Sequence, residues 1–123
     1  MNTTSANPIS EALDQLTLAI AAEGVQHVTR DPAVFAPSPV GVLVATPRIT
    51  SAVLNTITME VDVMIVSTNP PTARSLDMIL TTTLAVMEAV QAGEANPTTW
   101  AGGPNLDPLP AYVVVATITT PSY

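Results

Sequence analysis

Glu60 and Asp62 are the most closely spaced carboxylates in this chain. Two residues apart on an extended segment, they face one side with about 7 Å between their Cα atoms. Such a pair can contribute to a metal site if further ligands converge on it. His27 and Asp31 are the conceivable additional ligands, but no motif ties them to the pair. The pair can equally be the solvated side of a strand, or part of a negative surface shared between subunits.

Other reactive chemistry is scarce. With one histidine and no cysteine, a Cys–His nucleophile and disulfides are excluded. A Ser–His–Asp triad would have to use His27, and there is no Gly-X-Ser-X-Gly elbow. The chain has no lysine, which removes Schiff-base chemistry and a phosphate-loop lysine, and Ala101-Gly102-Gly103-Pro104 precedes no helix signal. The expectation is a protein that is not an enzyme, with no cofactor and no metal.

The elements around the carboxylate pair are strongly patterned. Over residues 59–67, Val61, Val63 and Ile65 alternate with Glu60 and Asp62, the period of a strand with one buried face. After a Thr68-Asn69-Pro70-Pro71 corner the period changes. Leu76, Ile79, Leu80, Thr83, Met87 and Val90 form one helical stripe, which predicts a long helix ending near Gly93 that packs on the Val61/Val63/Ile65 face. An earlier helix opens at Asn7-Pro8, an N-cap followed by proline at the first helical position, carries Ile9, Leu13, Leu16 and Ile20 on one stripe, and stops at Gly24.

Three further strands are expected. Residues 25–28 read as a short edge strand, 40–45 as an apolar run covered on both faces, and 111–119 as a β-branched strand. Residues 48–55 read as a connection, 93–110 as a long Gly/Pro loop containing Trp100, and 1–6 as a mobile N-terminus. The expected fold is α+β, one domain over 1–123: a single four-stranded, mostly antiparallel sheet with two long helices on one face.

Composition bounds the partners. Charged residues are 11% of the chain, with three arginines against ten acids for a net charge of −7, where ordinary domains carry about 25%. An acidic chain is poorly suited to wrapping nucleic acid. The most apolar helical run, 12–22, is too short to span a bilayer, and no basic leader segment is visible, so the chain is expected to be intracellular when made and to have no membrane partner. Mean hydropathy is nevertheless positive at +0.40. Two explanations compete: codon bias in the source that removes lysines, or surface buried against partners, where charge is depleted. Leu18 on the first helix, and Met78, Ala85 and Ala89 on the second, fall opposite the expected core stripes and are candidate subunit contacts. Trp100 is either a lid on the sheet or an interface anchor.

The order of elements resembles the tail terminator proteins of long-tailed bacteriophages, the small tail-completion family. The likeness rests on the N-terminal helix ending in Gly24, the run Pro39-Val40-Gly41-Val42-Leu43-Val44, the strand–helix unit beginning at Met59, and the Gly/Pro loop leading into Pro108-Leu109-Pro110-Ala111-Tyr112-Val113-Val114-Val115. It covers nearly the whole chain by pattern and length, without a signature motif; the scarcity of basic residues departs from many members. The resemblance implies a homo-oligomeric ring, usually a hexamer, in the virion neck, assembled in the host cytoplasm. Such a ring caps the tail tube protein, ends tube polymerisation and joins the head–tail connector protein, while DNA passes through without specific binding. Glu60 and Asp62 would then face the lumen. A connector or tail-completion subunit is the near alternative, and a small α+β ligand-binding or regulatory domain is the alternative of another class.

Overall fold

A computed structural model describes residues 7–25, 27–31, 35, 40–53, 55–67, 72–101 and 108–121. The elements are α1 (Pro8–Ala22), β1 (Val28–Thr29), β2 (Val40–Val44), β3 (Arg48–Val53), β4 (Thr56–Ser67), α2 (Ala73–Val90), β5 (Asn96–Trp100) and β6 (Leu109–Pro121). At α1 the Asn7 side chain accepts from the N–H groups of Ile9 and Ser10, satisfying donors that a helix start leaves open. Gly24 follows α1 at φ +91, the left-handed region where glycine carries no Cβ penalty. The corner at 68–71 lies outside the described residues, and α2 is capped by Thr72. Its hydroxyl accepts from the Ser75 N–H, and the Ser75 hydroxyl accepts from the Thr72 N–H. Ser75 is buried and also meets Ser67 at 3.2 Å, tying the start of α2 to the end of β4.

The sheet has six strands in the order β1-β2-β4-β6-β5, with β3 also on β4. The β1–β2 pair is parallel and the other pairs are antiparallel. The four-stranded, mostly antiparallel sheet expected above is therefore corrected to a six-stranded mixed sheet. The two added strands come from stretches expected to be irregular. β3 occupies the supposed connection and forms a hairpin with β4 around Asn55, which has φ 66. β5 lies inside the supposed loop at 93–110 and pairs with residues 109–113 of β6. Both are exposed strands without a buried face along most of their length, so neither shows the alternation that marks a half-buried strand. Pro97 is tolerated because β5 is at the sheet edge.

β2 and β3 line the same side of β4 in succession. Residues 40–44 pair with 63–67, and 48–53 with 56–60. The Ala45 N–H still donates to the Asp62 carbonyl at 2.9 Å, and Pro47 lies in the break. One end of the sheet thus holds β1, β2, β4, β6 and β5. Among the described residues, the other end, the lower end, holds only β3, β4 and β6.

Both helices cover one face of the sheet. Leu13, Leu16 and Ile20 of α1, Ile79 and Val86 of α2, and Met59, Val61, Val63 and Ile65 of β4 form one buried cluster. The stripe expected on α2 is displaced. Leu76, Leu80 and Leu84 are 43%, 50% and 68% exposed, whereas Met78 and Ala89 pack against the core. At 100° per residue the buried face is rotated by roughly 60° toward α1. α1 and α2 pack together, and the small Ala85 and Ala89 suit that side to a close neighbour. On the opposite sheet face, Val66, Leu109 and Ala111 form a second cluster with Phe35, Met64 and Trp100 against it.

Candidate functional site

Register brings the two carboxylates to the sheet face away from the helices, and brings a cation to them. Arg48 stands directly across from Glu60 in the β3–β4 ladder. Its guanidinium donates to both oxygens of Asp62 at 3.1 and 3.2 Å and to Glu60 at 3.5 Å. The hydrogen bond to Asp62, followed by that carboxylate's charge, raises the Arg48 pKa above its ordinary value. An arginine guanidinium is charged at any ordinary pH, and these contacts favour that form further. Glu60 and Asp62 do not form a bare acidic pair; with Arg48 they make a triad of one cation and two anions.

Among the described residues there is no group of three or more His, Asp or Glu side chains able to hold a metal. His27 is exposed, and its backbone carbonyl accepts from the Val42 N–H at 2.7 Å, a strand-pairing role.

The other residues singled out from the sequence occupy distinct places. Leu18 is 68% exposed on α1. Met78 and Ala89 are half-buried against the core, and Ala85 lines the cleft beside the end of α1 with Met78 and Val25. They do not face away from the fold as the displaced stripe implied. Trp100 is half-buried, edge-on to Phe35 with 5.1 Å between ring centroids. It covers the sheet on the side opposite the helices.

Sequence reasoning missed the outward apolar row Leu76, Leu80 and Leu84, with a concavity beside it lined by Pro97, Pro110 and Tyr112. A signal for it was present: outside the polar side made by Arg74, Asp77, Thr81 and Glu88, α2 carries large apolar residues over more than half of its circumference, so its core side depends on where α1 lies.

The lower end of the sheet is also unusual at its edges. Among the described residues, β3 pairs only with β4, and β5 pairs only with 109–113 of β6. Residues 114–121 of β6 and the outer side of β3 therefore offer open strand edges. A concavity of about 450 Å³ lies between α1 and the lower part of β6, lined by Ala12, Leu16 and Ile118 among others. Another, of about 730 Å³, lies between residues 90–96 and the Val115/Thr117 side of the strand. Comparison with protein families, with curated proteins and with solved structures finds no match for this chain.

Proposed function

We propose that this chain is a structural subunit that acts by self-assembly and surface matching: a ring that caps a phage tail tube, ends its polymerisation and joins the head connector. The observation that carries this reading is the exposed apolar surface of the two helices together with the open strand edges of the sheet. Leu18, Leu76, Leu80 and Leu84 are exposed leucines on the two helices, and the sheet has open edges at its lower end. A row of exposed leucines on one helix flank, such as Leu76, Leu80 and Leu84, fits an interaction surface better than a solvated one. Low charge is what interface cores select. The particular assembly is drawn from the family resemblance in element order. No helix among the described residues is long and apolar enough to cross a membrane.

The mechanism is steric. One ring face matches the last tube ring, and the other presents a different surface on which no further tube subunit can add. Electron microscopy of particles made without this protein tests it. Tails of uncontrolled length, or unjoined heads and tails, are expected; normal infectious particles would remove the reading.

The Arg48 triad has its own expected result. In a ring, each copy brings the same sheet face into a shared surface. Exposed ion pairs add little to folding, so Arg48→Ala should melt with the wild type. It leaves two uncompensated carboxylates per copy, and their repulsion is screened by salt. Sedimentation should show a several-fold weaker oligomer at low salt that recovers at high salt. Assembly with unchanged salt dependence would mean that the triad does not face its symmetry mates.

A further inference from the structure

We infer that the open lower edge of β6 in one copy receives β3 of a second copy, in parallel, and that this strand pairing is the repeating contact of the assembly. The inference rests on the ring reading and specifies the contact that reading leaves open.

β3 and β6 are both antiparallel to β4 and lie on its opposite sides. They therefore run in the same direction at the two borders of the lower sheet. Repeating the unit sideways sets β6 of one copy beside β3 of the next, with parallel strands. The symmetric alternative pairs β6 with β6, antiparallel, and leaves the β3 edge of each copy open. Only the head-to-tail contact covers both edges with a single interface. A contact of that kind closes into a ring if its rotation allows.

The chemistry of the two edges fits mutual covering. Exposed edge strands are usually blunted by lysine, inward charges or proline. Residues 114–121 carry no charged side chain, and their one proline, Pro121, is at the end of the strand. β3 carries only Arg48, which is engaged with Asp62 and Glu60. No backbone hydrogen bond joins residues 91–95 to β6 among the described residues.

Register also supplies a side-chain match. Ile49 and Ile118 both pair with Met59, so they stand at one height and on the helix-covered face. Ile49 is 56% exposed. Beside Ile118, at the same height on β6, is the concavity formed with Ala12 and Leu16. A second copy arriving at equal height brings its Ile49 to that concavity, where Ala12, Leu16 and Ile118 offer apolar contact beside the polar Glu11, Gln15 and Thr120.

The same repeat orients the sheet. All copies present the same face to the axis, and the bulk of two helices fits the longer, outer circumference. Arg48, Glu60 and Asp62 then line the inner surface.

Cross-linking tests the contact directly, since the chain has no cysteine. Ser51 and Thr119 both pair with Thr58, so they share a height and a face at opposite borders. Ser51→Cys and Thr119→Cys proteins are made separately, assembled alone and as a mixture, and treated with a short bismaleimide. Multi-angle light scattering reports the oligomer, and peptide mapping reports the link. The expected result is a dimer linked between positions 51 and 119 in the mixture, and at least tenfold less product from either variant alone. Efficient self-linking of Thr119→Cys would establish the symmetric β6 pairing and overturn the inference. An oligomer with no 51–119 link would overturn it while leaving the ring reading intact. A monomer in the unsubstituted chain at all concentrations would remove both.

Discussion

Ile79→Ala should cost the fold about 2–5 kcal/mol, whereas Leu80→Ala, one residue further on, should cost less than about 1 kcal/mol. Ile79 is 2% exposed within the main core, and Leu80 is 50% exposed on the flank of α2. Truncating Ile79 removes buried methyl groups and leaves a cavity beneath the helix, because close-packed surroundings relax only partly. Truncating Leu80 removes surface that already touches water in the isolated chain. Urea unfolding at low protein concentration, where assembly does not contribute, gives both values. Equal losses would mean that α2 sits in the rotation its own periodicity suggests, with Leu80 inside.

The contrast between those neighbours shows where sequence was a sufficient guide. β4 was legible because Val61, Val63 and Ile65 are buried on one side while Glu60 and Asp62 are not. β2 and the middle of β6 were legible as runs of β-branched residues. α1 was legible to its caps, since Asn7, Pro8 and Gly24 each act locally. α2 was legible as a helix but its rotation was not. Its apolar residues admit two stripes, and the choice is made by α1, far away in the chain. β3 and β5 escaped detection because pairing without burial leaves no periodic trace. The Arg48 contact depends on the β3–β4 register, so the carboxylates were visible from sequence while the cation between them was not.

The second large effect concerns assembly. Leu80→Asp combined with Leu84→Asp should leave thermal unfolding of the isolated chain nearly unchanged and weaken the oligomer by at least about a hundredfold, since burying an unpaired charge costs several kcal/mol and each 1.4 kcal/mol is a factor of ten. Both leucines are at least half exposed, so a carboxylate at either site is solvated in a free subunit. Leu80 lines the concavity beside Pro97 of β5, on the β6 side of the sheet, and that is the side where the next copy stands in a head-to-tail repeat. A contact there would add to the strand pairing proposed at the lower end. Sedimentation of the double variant separates the two surfaces. A monomer that still binds added wild-type chain through its β3 edge would show that each subunit offers two different patches, as a ring demands. An unchanged oligomer would exclude this flank of α2 from the interface, leaving the strand edges to hold the copies together alone.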